Sequence, residues 1–228
     1  MSDALLQAQR LCRTYRNGRE QIHVLHGVSL ELWRGESVAV IGPSGSGKST
    51  LLNLLNGLLT PDSGQLQVFG KSHTTLAEGD WAELRRTRIA TLFQDGNLIP
   101  TLTVSRNIAF RAGLAGLQTH DGDTLLDQLG IADTAHRYPD QLSGGQRQRA
   151  ALACAFAMRP ELILADEPTG SLDYATAQRV VPLFFDAIRE RALGALIVTH
   201  NPDLAQRCDR ILELREGALR PWDSPVSS

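Results

Sequence analysis

The amino-acid sequence predicts an α/β domain built around a mostly parallel, doubly wound sheet. Three stretches carry that prediction: SVAVIG running into a glycine-rich turn and a leucine-rich helix, ELILADEP running towards a second helix, and ALIVTH. Each apolar run has strand length and too few polar residues for one wet face, so it reads as a strand covered on both sides. Helices alternate with these strands, as crossover connections in a parallel sheet require. With 228 residues and 42% hydrophobic content, the chain buries one substantial core, read as a single domain over 1–228 with an internal subdivision.

From Leu5 to about Gly70 the chain reads as short strands and turns: LCRTYRNG, IHVLHGVSLELWRGE, SVAVIG and GQLQVFG. Gly42 breaks the VAVI strand, KSTLLNLLNGLL spreads leucines over one helical face, and TPDSG ends that helix. Between about Trp81 and Met158 the character turns helical, through WAELRRTRIATLF, VSRNIAFRAGL, DTLLDQLG and QRQRAALACAFAM. This predicts a mainly helical subdomain, at about 95–158, inserted into a core formed by about 1–94 and 159–220. The core resumes with ELILADEP, a helix from about Tyr174 to Leu193, the strand ALIVTH and the strand-turn RILELREGALR. A tail occupies 221–228, and its WDSPVSS stretch reads as disordered.

Composition narrows the function classes. A formal net charge of −2 gives no global attraction for nucleic-acid phosphates, so no nucleic-acid partner is expected. No apolar run approaches the roughly 20 residues of a membrane span, and MSDALLQAQR lacks the pattern of a signal peptide. Any movement across a membrane would therefore need a channel from another chain. Cys12, Cys154 and Cys208 show no metal-ligand spacing and read as free cytosolic thiols. Lys48 and Lys71 are the only lysines against 21 arginines, yet Lys48 stands where a compact ammonium is needed between phosphate oxygens.

GPSGSGKST fits G-x-x-x-x-G-K-[ST]. Missing side chains at Gly42, Gly45 and Gly47, with Pro43, Ser44 and Ser46 between them, let backbone N–H groups face phosphate oxygens. The helix N-terminus at Lys48, Ser49 and Thr50 adds partial positive charge. Lys48 is expected to neutralise β and γ phosphates, and the Ser49 hydroxyl to ligate Mg²⁺. LILAD delivers Asp166 to the exit of its strand, with Glu167 next; successive side chains diverge, Asp166 towards the metal and Glu167 towards an attacking water. A positioned general base contributes about 10²- to 10⁴-fold. Ser143, Gly144 and Gly145 open a helix with a hydroxyl and bare N–H groups, a second anion-seeking element beyond what one nucleotide requires.

The phosphate loop, then LSGGQRQR from Leu142 to Arg149, then LILADE, in that order, resemble the ATP-binding-cassette (ABC) ATPases over about Leu5 to Arg220. The resemblance implies a P-loop NTPase fold of the ABC type: a RecA-like core, an N-terminal antiparallel β-subdomain and an inserted helical subdomain. It implies ATP and Mg²⁺ as cofactors, with Tyr15 of RTYRNG against adenine, a contact worth about 1–3 kcal/mol. Gln94 is then the Q-loop glutamine near Mg²⁺ and the lytic water, Glu167 the catalytic glutamate, His200 the switch histidine, and Asp173 the aspartate communicating between sites. Ser143 to Gln146 would close over a second copy's ATP in a head-to-tail homodimer. Integral membrane permease subunits are the implied partners, with the chain peripheral at the cytoplasmic face of the inner membrane.

GPSGSGKSTLLNLLNGL, FQDGNLIPTLTV and LADEPTGSLD look most like the MacB and LolD type, which implies export or lipoprotein extraction. Two alternatives stay open: a mechanical regulator of envelope hydrolases, like the cell-division ABC ATPase, and the ATPase of an uptake transporter. Three positions depart from the family pattern, Ser171 replacing asparagine, Asn201 replacing an acidic residue, and Cys154 replacing arginine. Leu98, Ile99, Pro100 and Leu102 admit two readings, a groove for a permease helix or a cover for the helical core.

Overall fold

The computed structural model of the chain describes residues 4–18, 20–93, 98–118 and 121–222. Gln94 and the tail beyond Trp222 lie outside the described residues. Strands β1 (Ala4–Asn17), β2 (Glu20–Trp33), β4 (Ser63–Val68) and β5 (Lys71–Ser72) form an antiparallel sheet in the order β2-β1-β4-β5. The expectation of short strands in this region is corrected: β1 and β2 are each 14 residues long. Bulges let so long a pair keep its twist, and near one of them Arg10 (φ 50°) directs its N–H to Ser29 Oγ at 2.9 Å.

The second sheet contains β3 (Ser37–Ile41), β6 (Ile89–Leu92), β7 (Leu162–Asp166), β8 (Gly194–Val198), β9 (Arg210–Arg215) and β10 (Ala218–Pro221). Its order is β10-β9-β3-β8-β7-β6; β9, β3, β8, β7 and β6 run parallel and β10 is an antiparallel edge. The reading of WAELRRTRIATLF as one helix-like segment is also corrected. Helix α2 (Glu78–Thr87) stops, and Ile89 to Leu92 pair with Leu162 to Ala165. Ile89 and Ala90 are fully buried there, and the side chain of Arg88 is tied to Glu161 at the start of β7. Sheet burial on both faces outweighs the helical periodicity that the preceding arginines carry.

The remaining helices are α1 (Lys48–Leu55), α3 (Val104–Leu114), α4 (Gly122–Gln128), α5 (Gly144–Ala157), α6 (Tyr174–Glu190) and α7 (Pro202–Ala205). Helix α6 ends three residues before Leu193, and the chain turns through Ala192 at φ 48°. Two hydrophobic clusters flank the parallel sheet, and the central strands divide their side chains between them. Leu162, Leu164, Leu196 and Val198 face the cluster that holds α1 and the antiparallel sheet. Ile163, Ala165, Ala195 and Ile197 face the cluster that holds α3, α4, α5 and α6. This double burial explains why the strands read as unbroken apolar runs, each large side chain contributing about 1.5–3 kcal/mol. No helix among the described residues is long and apolar enough to cross a membrane.

Candidate functional site

The strand order β3-β8-β7 sets the C-terminal ends of three parallel strands side by side, where open α/β sheets hold their ligands. The first delivers the loop Gly42–Gly47, the second Thr199 and His200, the third Asp166 and Glu167. Residues separated by more than a hundred positions thereby share one edge.

Glycine is required at two points of the loop for different reasons. A Cβ on Gly42 would lie 2.3 Å from the Leu214 carbonyl oxygen, so that strand end passes too close for a side chain. Gly47 has φ 101° and would press a Cβ to within 2.8 Å of Val24 Cγ1. Pro43, Ser44 and Gly45 are exposed. Lys48 folds back over the loop, donating from Nζ to the carbonyls of Gly42 and Pro43, both at 2.9 Å. Gly47 offers no side-chain cap to α1, and no acidic residue occupies the first turn formed by Lys48, Ser49 and Thr50. Ser46 Oγ is buried with no hydrogen-bond partner.

Ser49 Oγ donates to Asp166 Oδ2 at 2.7 Å, joining α1 to the end of β7. These features fit a phosphate ligand with Mg²⁺: an uncapped helix N-terminus, an ammonium with a proton to spare, and a hydroxyl beside a carboxylate as hard oxygen donors. Among the described residues no group of three or more His, Cys, Asp or Glu is arranged to hold a metal, so a cation here would depend on phosphate oxygens.

Glu167 is held differently from its neighbour. It is 8% exposed, and φ 48° places it in the left-handed region. Its Oε2 accepts from Thr199 Oγ1 at 2.9 Å; its Oε1 accepts from the His200 N–H at 2.8 Å and lies 2.6 Å from His200 Nδ1. The His200 side chain is 76% exposed, whereas that of Glu167 is 10% exposed. The Asp166 and Glu167 carboxylates thus engage separate groups, one the phosphate-loop helix and one the end of β8.

Ser143 caps α5, its Oγ accepting from Gln146 N at 3.2 Å while Gln146 Oε1 accepts from Ser143 N at 3.0 Å. Gly144 and Gly145 follow in the first turn, packed close to Ser171 and Leu172. Asp173 caps α6 and accepts from Thr176 N and Oγ1 at 3.0 and 2.7 Å; the Thr176 bonds hold its carboxyl below the usual range. Tyr15 is partly exposed on β1, and the Arg13 guanidinium stands 5.2 Å from its ring centroid. Arg13 is fixed by Thr60 O and Asp62 Oδ1, each at 2.9 Å. Cys154 is buried in the helical cluster, and burial pushes its thiol up to about 12. Of the four apolar residues after Gln94, Leu98 packs against that cluster and Pro100 is exposed.

Four residues escaped the sequence reading. Gln148 Nε2 donates to the Glu167 carbonyl at 2.7 Å, and its Oε1 accepts from Ser171 N at 2.9 Å. Its spacing of four and seven to the buried Leu152 and Ala155 marks a polar side chain on an apolar helical face. Thr199 extends the apolar run of β8 and is fully buried. Arg13 lies two residues before Tyr15 on one strand face, a spacing visible in the sequence. Asn107 is buried and bonds Ile99 N, Ile99 O, Leu102 O and Thr103 O, shaping the segment before α3; no local signal marks it.

The ABC transporter family profile matches residues 25–170. The chain is 42% identical over 223 residues to "Lipoprotein-releasing system ATP-binding protein LolD 1" of Rhodospirillum rubrum, covering 96% of this chain and 99% of that one. It is 41% identical over 219 residues to "Macrolide export ATP-binding/permease protein MacB" of Shigella flexneri, covering 94% of this chain and 34% of that longer protein. A solved dimeric structure of the ATP-binding cassette MJ0796, in a post-hydrolysis state bound to ADP and Pi, superposes with TM-score 0.87 and 33% identity over 94% of this chain and 96% of that one. With the family profile spanning more than half of its length and relatives matching it nearly end to end, the chain belongs to the ABC transporter family.

Proposed function

We propose that this chain binds and hydrolyses ATP as a homodimer and drives a separate membrane permease of the LolD or MacB type from the cytoplasmic face of the inner membrane. The observation that carries this reading is the convergence, at one sheet edge, of the Lys48 loop, the Ser49–Asp166 pair and the Glu167–Thr199–His200 cluster. The names of the LolD and MacB relatives, and the dimeric state of the MJ0796 cassette, support the partner and assembly parts of it.

The free backbone N–H groups between Ser44 and Thr50 and the Lys48 ammonium hold the triphosphate within the Gly42–Thr50 loop, and Tyr15 supports the base. Ser49 and Asp166 would hold Mg²⁺, with Gln94 the further ligand that the family resemblance implies, and the ion would supply charge neutralisation at the β and γ phosphates. Glu167 takes a proton from a water whose oxygen attacks the γ phosphorus; the bond from that phosphorus to the bridging oxygen breaks, leaving ADP and inorganic phosphate. His200, exposed and bonded to Glu167, exchanges that contact for the γ phosphate as the site fills. Ser143, Gly144, Gly145 and Gln146 of one chain cap the ATP of its partner, and Asp173 stands at the seam between them.

Lys48→Ala tests the phosphate-loop part: ATP affinity is expected to fall about 10- to 100-fold, from the loss of hydrogen bonds to charged groups. Unchanged affinity by fluorescent-nucleotide titration would overturn it. The permease part is tested by affinity capture from detergent-solubilised membranes and identification of the integral protein retained. Recovery of a partner with a large periplasmic domain and few membrane helices is expected; a many-helix uptake channel would replace the export reading.

A further inference from the structure

The amide of Gln148 spans the gap between the helix that opens with Ser143 and the strand end that carries Glu167. It is 8% exposed and spends both of its ends on main chain, donating to Glu167 O and accepting from Ser171 N. Glu167 O also accepts from Gly170 N at 3.0 Å, and Glu167 N donates to Val198 O at 2.9 Å. The backbone of Glu167, in a left-handed conformation that L side chains adopt at a cost, is thus clamped from its carbonyl side by Gln148 and from its amide side by β8. At the other end, Cβ atoms placed on Gly144 and Gly145 would lie 3.6 and 3.5 Å from Ser171 and Leu172, so the first turn of α5 faces, across about the width of a methyl group, the segment that Gln148 also holds. Gly144 and Gln148 are one helical turn apart, about 6 Å along the axis.

From this geometry we infer that Gln148 is a positioning residue: it transmits the placement of the Ser143 end of α5 to the Glu167 backbone of the same chain. The inference rests on the two-chain reading above. Ser143 touches the partner's ATP in that arrangement, so each chain's Glu167 is set for hydrolysis by the nucleotide in its neighbour's loop. A buried glutamine serves this purpose because donor and acceptor sit on one rigid plane; an apolar residue of similar length leaves Ser171 N without a partner.

The test uses mixed dimers of two differently tagged full-length chains, purified through both tags, with Glu167→Gln silencing one site. In the cis arrangement Gln148→Met sits on the chain that keeps Glu167; in the trans arrangement it sits on the silenced chain. Single-site turnover in cis is expected about 5- to 30-fold slower than in trans, the loss carried by one or two such hydrogen bonds, with KM for ATP equal within about twofold. Equal rates, or a slower trans arrangement, overturn the inference, since damage to the helix as a cap for the partner's ATP would act in trans. Gln148→Glu keeps the acceptor for Ser171 N and loses the donor to Glu167 O; it carries the same comparison if the methionine variant fails to fold. Sedimentation of Glu167→Gln alone with ATP separates the two levels: absence of a dimer overturns the two-chain reading and the inference with it, whereas a dimer with no cis deficit overturns the inference alone.

Discussion

Replacing Glu167 by glutamine changes one atom, and the effect can be traced contact by contact. The glutamine carbonyl takes the place of Oε1 and accepts from His200 N and Nδ1 as before. The amide nitrogen takes the place of Oε2, facing Thr199 Oγ1, which turns from donor to acceptor. That oxygen already accepts from Asn201 N at 3.0 Å and has a second lone pair for the purpose. Each pair of groups stays in contact, but the buried Thr199 hydroxyl proton loses its acceptor, so the folding cost is about 1–3 kcal/mol, or a melting shift of roughly 2–12 °C. The amide nitrogen has no pair with which to take a proton, so turnover is expected to fall 10²- to 10⁴-fold, about 2.7–5.5 kcal/mol of barrier. Phosphate release measures the rate, and sedimentation with ATP and Mg²⁺ measures the dimer, which should accumulate. Turnover within about fivefold of the unsubstituted protein would remove Glu167 as the base. Loss of more than about 3 kcal/mol of stability would refute the accounting of its hydrogen bonds.

Arg13→Ala removes the cation beside Tyr15 and should raise the Kd for ATP about two- to fivefold, equivalent to 0.5–1 kcal/mol; an unchanged Kd by titration calorimetry would detach Arg13 from the base platform. Asn107→Ala deletes four bonds to the backbone between Ile99 and Thr103 and should cost about 2–4 kcal/mol, lowering Tm by roughly 4–16 °C, measured by calorimetry. The bond from Arg88, reinforced by Arg34 and opposed by partial burial, holds the Glu161 carboxyl below its usual range. A depressed carboxylate contributes stability above its unfolded value of about 4.3 and loses it as pH falls through the folded one. The Tm gap between the parent protein and Glu161→Gln should therefore be level from about pH 8 to 5 and close below about pH 4; a gap that widens in acid would contradict the sign.

The parallel sheet was legible because its strands are covered on two faces and write themselves as apolar runs, and because GPSGSGKST and LILADE are local motifs in which neighbours in sequence share one task. Contacts that close over long separations left no comparable trace. The bond from Gln148 to Glu167 crosses 19 residues, and the pairing of Thr199 and His200 with Glu167 crosses more than 30. IATL merges in sequence with the helix before it, since its residues carry no periodicity of their own and become a strand by pairing with β7. The short-strand reading of the N-terminal region fails at a bulge: Arg10 takes a left-handed φ of 50° and bonds Ser29 Oγ through its N–H, and the pairing with β2 resumes at Leu11.

Because β6 and β7 are hydrogen-bonded neighbours running the same way, the described residues between Leu92 and Leu162 belong to one crossover that leaves the sheet at one strand and re-enters at the next. A segment suspended like a handle from adjoining strands can lengthen, shorten or be exchanged without rethreading the topology. A chimaera grafted at those two junctions should keep its host's strand order, and on the proposed function it hydrolyses ATP only if the incoming helix again presents a serine at position 143 and an amide at position 148.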